Sequence, residues 1–538
     1  MRKRSATIGL SLLLGPVLAL GPGAYAKSSP AGANAASTTA STQADAEGKP
    51  EADKLSTTEH QITIDGQVIK YTATAGTIVL KGDDEKPRAK FFFISYSKDH
   101  ASSAQRPVTF VFNGGPGSSS VWLHLGAAGP KRVSLDAQGF PGAPPYRLVD
   151  NPQSWLDTTD LVFIDPIGTG YSRPAEGFKT EDFWGVQKDI ESVGDFIRMY
   201  LTRYHRWDSP KFLAGESYGT TRAAGLSAHL MDRYGISLNG IVLISTVLNF
   251  QTLIASDGNE LPYALYLPSY TSIALFHHKI ETADRDKLLN EVSSFAMGDY
   301  LAALAQGGSL SKDGRAAIAD RLSKYTGLPA DLIDRADLRI SPDLFRKHLL
   351  NDQRLLLGRY DARMTGEDPN PAGDDVSYDP AFTRYLPVYS AAFNQYIYHD
   401  LKYESDLNYE ILTAGPSPWD FGTPGGAAGL GFLDLSGALR SAMLENPNMK
   451  VLVASGQDDL ATPFLGSIYT MNHLDLSDVL HANVTQTYYQ SGHMIYHDPE
   501  SLKKLKSDVR AFMLSATGGT AVTEPDDSGS ASTEPAAQ

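Results

Sequence analysis

Cysteine is absent from all 538 residues. Its absence excludes disulfides, thiolate metal sites and a cysteine nucleophile together, so covalent catalysis would have to use oxygen or nitrogen. Positive charge is also short, with 47 Lys and Arg against 62 Asp and Glu, a net charge of -15. That balance argues against nucleic acid or an anionic membrane surface as the main partner. The N-terminal apolar stretch from Ile8 to Leu20 is interrupted by Gly15 and Pro16 and falls short of the ~20 residues a membrane span needs. Preceded by Arg2, Lys3 and Arg4 and followed by Ala24-Tyr25-Ala26, it reads as a signal peptide over residues 1–26. The expected product is exported, periplasmic or secreted, with no stable membrane anchor after cleavage. Cysteine-free export points to a bacterial source.

Residues 27–58 are mostly Ala, Ser, Thr, Gly, Pro and acidic residues, too few apolar groups to offset the entropy of ordering, so a disordered linker is expected. The tail 515–538 has the same character. Between them the composition is globular: 42% apolar, 20% charged and 10% aromatic over the whole chain.

Gln61 to Lys98 alternates apolar and polar residues and predicts an antiparallel entry to a sheet. Short β-branched and aromatic runs follow at 108–112, 161–165, 211–215, 241–245, 450–454 and, more weakly, 485–490. Each predicts a buried strand. Thr180 to Tyr204 carries apolar residues at helical spacing. Strands alternating with helices predict an α/β fold with a mostly parallel central sheet. The strand pattern pauses for about 200 residues, where Ala283 to Ala305 and Asp343 to Leu357 read as helices. The expected division is a core of 59–250 and 446–514, with 251–445 as a large, mainly helical cap over the crevice at the strand ends. A separate second domain is the alternative.

Gly215-Glu216-Ser217-Tyr218-Gly219 fits G-x-S-x-G between a predicted strand and helix, the setting of a nucleophile elbow. A serine nucleophile needs a histidine to take its proton and a carboxylate to orient that histidine. After the insertion, one strand leads into Asp458 and Asp459 and the next into His493, with His497 close behind. The residues leave both the aspartate and the histidine open, although Gly492 favours His493. The histidines at i, i+4 have no patterned third ligand, so no metal is expected. Asn113-Gly114-Gly115-Pro116-Gly117 follows the first core strand. It suits an oxyanion hole shared with the Tyr218 N–H, and lacks the GK[ST] of a P-loop.

Together NGGPGSSS (113–120), IDPIGTGYS (164–172), GESYG (215–219), GQDDLATPFLG (456–466) and SGHM (491–494) resemble the serine carboxypeptidase family, the S10 peptidases. The resemblance implies an α/β-hydrolase fold with Ser217 as nucleophile, Asp459 as acid and His493 as base. It implies Gly115 and Tyr218 as oxyanion-hole donors, and Asn113 and Glu216 as binders of a terminal carboxylate. The implied activity removes C-terminal amino acids from peptides with a free C-terminus, through an acyl-enzyme, favouring acid pH and needing no cofactor. The chain departs from the family at Val111, where it has tryptophan, at Ser118, often cysteine, and at Ala127, where it has glutamate. The lost carboxyl at 127 keeps an ester hydrolase or acyltransferase with the same triad as a rival. The other rival is a non-catalytic binding protein on a hydrolase scaffold.

Overall fold

The computed structural model describes residues 52–413, 419–422 and 431–518. The expected signal peptide and most of the expected linker and tail lie outside them. Three long antiparallel strands come first: β1 (Lys54–Ile64), β2 (Gln67–Lys81) and β3 (Pro87–Lys98). Six strands follow: β4 (Val108–Phe112), β5 (Asp160–Ile164), β6 (Lys211–Glu216), β7 (Gly240–Ile244), β8 (Lys450–Gly456) and β9 (Val484–Tyr489). In space they run β1-β2-β3-β5-β4-β6-β7-β8-β9, and a two-residue strand, Arg173–Pro174, pairs beside β3. From β5 to β9 every pairing is parallel. The mostly parallel sheet is the one the strand–helix alternation predicts.

The strand pleat sorts side chains into two cores. Phe91, Phe93, Phe110 and Phe112 face helices α1 (Val186–Arg203) and α2 (Tyr218–Tyr234). Phe92, Ile94, Tyr96 and Val111 face the opposite layer. A third core belongs to the insertion, running from Ala264 to Ala362 through helices α3 (Leu261–Phe276), α4 (Arg285–Phe295) and α5 (Lys312–Thr326).

The structure moves several expected boundaries. Of the 251–445 insertion, helix α6 (Pro380–His399) packs its Tyr385, Tyr389, Phe393 and Tyr396 in a sheet core rather than the cap core. Helix α7 (Ser436–Glu445) likewise packs Leu439, Ala442 and Met443 with α2. An amphipathic pattern shows that a face is buried but not what it is buried against. The linker was expected to reach residue 58, yet β1 starts at Lys54, its polar residues held by backbone pairing to β2. Asp343 to Leu357 is not one helix, because Pro342–His348 is helical while Leu355–Leu357 is a strand paired with Thr365–Glu367. The tail boundary shifts slightly, since a last helix, α9 (Pro499–Ala516), follows the short α8 (Phe464–Asn472).

Candidate active site

Strands β6, β7, β8 and β9 are parallel neighbours, so the loops at their C-terminal ends meet. Ser217 N donates to Ile244 O, Ser245 N to Ala454 O and Gln457 N to Tyr489 O. These bonds stitch the four strand ends together.

Ser217 stands between β6 and α2 at φ 59°, ψ -130°, a conformation L-residues rarely adopt. The turn is held by crowding. A Cβ on Gly215 would lie 2.2 Å from Gly219 O, so that position admits no side chain. The loop from β4 closes on the same turn, and a Cβ on Gly114 would lie 2.4 Å from Tyr218 N and 2.7 Å from Glu216 O. The backbone of Gly114-Gly115 is thereby held against the N-terminus of α2. Gly114→Ala should therefore push the two donor segments apart and lower kcat by about 10²-fold or more, the scale of one oxyanion-hole donor. A kcat within a few-fold of the wild type, with the variant folded by circular dichroism, would show that this contact is unimportant.

His493 Nδ1 lies 2.7 Å from Asp459 Oδ2, with both side chains buried. Asp459 Oδ1 accepts from Ala461 N at 2.6 Å and Thr462 N at 3.0 Å, and Oδ2 accepts from Thr462 Oγ1 at 2.6 Å. Burial alone would depress the His493 pKa; the charge and hydrogen bond of Asp459, then the charge of Glu216, outweigh it and raise the pKa. Ser245 Oγ donates to His493 O at 2.6 Å, and Tyr360 O accepts from His493 N at 2.6 Å. Among the described residues Ser217 Oγ makes no hydrogen bond to His493; such contacts commonly tighten only in the substrate complex.

The two open choices separate in space. Asp458 turns to the cap, where Ser272 Oγ of α3 donates to its Oδ1 and Arg285 lies 4.0 Å away. Burial raises its pKa to about 6. His497 is stacked on Tyr385 and its Nε2 meets the Tyr389 hydroxyl at 2.9 Å. Burial holds it neutral. No group of three or more potential ligands fit for a metal ion occurs among the described residues.

Asn113 and Glu216 are brought together. Asn113 Nδ2 donates to Glu216 Oε1 at 2.8 Å, and Asn113 Oδ1 accepts from Leu123 N at 3.0 Å. Glu216 is 4% exposed. Burial lifts its pKa to about 7 against the opposing pull of His493 and the neighbouring Tyr496 and Asn113.

Several supporting residues escaped the sequence reading. Arg222 Nη1 donates to Asn113 O at 2.7 Å while its Nε pairs with Asp189 Oδ2 at 2.8 Å, a buried ion pair that fixes the β4 loop. Asp165, in IDPIGTGYS, accepts from Ser120 N at 2.8 Å and Ser120 Oγ at 2.9 Å, which gives that motif a scaffolding role. Thr462 was detectable as a hydroxyl three residues after Asp459. Nothing in the sequence pattern marks Tyr496.

A Serine carboxypeptidase (Peptidase S10) family model matches residues 69–306, which covers the β4 loop and the elbow. Asp459 and His493 lie beyond the match and reach the site through β8 and β9. Serine carboxypeptidase-like 45 of Arabidopsis thaliana is 31% identical over 179 residues, 32% of this chain and 36% of that protein. Pheromone-processing carboxypeptidase KEX1 of Pyricularia oryzae is 28% identical over 198 residues, 36% of this chain and 28% of that protein. The matches thus span about a third of these curated relatives' length. A thermostable carboxyl esterase from Bacillus coagulans overlaps at 14% identity and TM-score 0.33, covering 82% of this chain and 98% of that one, a loose overlap that adds nothing to the topology. On the family match, which covers less than half of the chain, and on these partial relatives, residues 69–306 are similar to the serine carboxypeptidase family, peptidase S10.

Proposed function

We propose that the protein is a serine carboxypeptidase that removes residues from the free C-terminus of peptides, acting as an exported bacterial enzyme. Asp459 holds the His493 ring by Nδ1, leaving Nε2 to take the proton of Ser217 Oγ as that oxygen attacks the last peptide carbonyl. The backbone N–H groups of Gly115 and Tyr218 receive the oxyanion. His493 then protonates the departing amino acid's nitrogen, and water, activated by the same histidine, hydrolyses the acyl-enzyme. No cofactor enters the scheme.

The observation that carries the peptidase reading over an esterase is the buried Glu216 beside Asn113. A protonated carboxyl donates a hydrogen bond to a substrate carboxylate, whereas an ionised one repels it. With its pKa near 7, Glu216 is protonated in acid and ionised in base, so peptide KM should be low at pH 5 and rise as pH passes through about 7. Glu216→Gln should flatten that rise, and a pH-independent KM in the wild type would refute the role. His493 must be neutral to act as base, so its raised pKa should set the acid limb of kcat.

Mass spectrometry of a peptide and its C-terminally amidated twin, with wild type and Ser217→Ala, tests the reading. Stepwise trimming of the free peptide alone, lost in the variant, is the expected result. Serine-dependent ester cleavage without trimming would favour the esterase or acyltransferase alternative, which the loss of the glutamate at Ala127 motivates. Export is tested by N-terminal sequencing of the mature protein, expected to start at Lys27.

A further inference from the structure

Two buried side-chain oxygens next to the elbow have no hydrogen-bond partner: Glu216 Oε2 and the Tyr496 hydroxyl. Tyr496 is 1% exposed, and its hydroxyl lies beside the Glu216 carboxyl and the Asn113 amide without forming a well-aligned hydrogen bond to either. An unpaired buried polar group is costly, so two of them side by side mark a place where a polar ligand atom can complete both. We propose that the Tyr496 hydroxyl is a third binding group for the substrate's terminal carboxylate, alongside Asn113 and Glu216. The inference rests on the carboxypeptidase reading.

The ring is positioned by its packing. A Cβ on Gly126 would fall 2.3 Å from Tyr496 Cε2 and 2.6 Å from the Tyr389 hydroxyl, so the glycine admits both rings. Tyr389 is already engaged by His497 Nε2 at 2.9 Å, which leaves the Tyr496 hydroxyl, beside Glu216 but without a well-aligned bond to it, as the donor open to a ligand. A carboxylate has lone pairs for several donors, and the Tyr496 O–H supplies one without adding charge. With alanine at 127, no second carboxyl is supplied from that position to compete for this donor. Specificity for a free C-terminus is thereby shared between Glu216, whose proton comes and goes with pH, and a phenol that stays protonated.

The test compares kcat/KM for an N-blocked peptide with a free C-terminal carboxyl and for its C-terminal amide, at pH 5, in wild type, Tyr496→Phe, Glu216→Gln and the double variant. The ratio of the two substrates should fall about ten-fold or more in Tyr496→Phe, through KM of the free acid, as expected for a lost hydrogen bond to a charged group. The losses of the two single variants should not add in the double, because both groups hold one ligand. Thermal melting should be unchanged or raised in Tyr496→Phe, since the hydroxyl it removes is unpaired in the free protein. An unchanged ratio overturns the proposal, and so does an equal fall on both substrates, which would mark Tyr496 as structural. A wild-type ratio near one would refute the carboxypeptidase reading itself, and the proposal would fall with it.

Discussion

Asp459→Asn should lower kcat by about 10⁴-fold, whereas Asp458→Asn, one residue away, should cost less than about ten-fold. The reason lies in the donors around Asp459. Ala461 N and Thr462 N both point at its Oδ1, so an asparagine would turn its carbonyl oxygen to them and its NH₂ toward His493. His493 Nδ1 would then have to accept, placing the ring proton on Nε2, the nitrogen that must receive the proton of Ser217. Protonating Nδ1 against that NH₂ is also unfavourable, so the acid limb of the pH profile should move. Asp458 contacts Ser272 and Arg285 at the junction with the cap. Its pKa of about 6 means that it is already neutral in acid, and asparagine is close to its protonated form. Steady-state kinetics on a small ester reads both variants, and equal losses would mean that the assignment of the acid is wrong.

Ser217→Ala should cost about 10⁴- to 10⁶-fold in kcat and abolish labelling by a fluorophosphonate, because it removes the oxygen that would attack. Ser217→Gly should be equally inactive yet more stable than Ser217→Ala by about 1 kcal/mol. At φ 59° and ψ -130° any Cβ is strained, and glycine relieves that strain at the expense of a larger unfolded-state entropy. Chemical denaturation of the two inactive proteins measures the difference directly. A glycine variant weaker than the alanine one would mean that the elbow is not strained, and labelling retained in either variant would remove Ser217 as nucleophile.

Much of the core was legible because its signals are local. VTFVF, KFLAG and KVLVA are short apolar runs bounded by turn residues, and each becomes a central parallel strand. The elbow was legible for a similar reason: Gly215 and Gly219 flank a turn that tolerates no Cβ, and such steric demands leave glycines in the sequence. Helices α6 and α7 were misplaced because amphipathicity reports burial without naming the partner. The start of β1 was missed because a polar edge strand is held by backbone bonds that leave no apolar imprint.

The sequence by itself determined the layer architecture, the position of the candidate nucleophile elbow and the order of the motifs, since these depend on periodicity, turn chemistry and spacing along the chain. The residues by themselves left Asp458 and Asp459 open, and the resemblance implied Asp459; the tertiary structure brings Asp459 to His493 and turns Asp458 to the cap, buries His497 neutral against Tyr385, and stands Tyr496 beside Glu216. Those are contacts between residues tens to hundreds of positions apart. Their energies come from burial and from the direction of individual donors, and both exist only once the strand ends have been brought together.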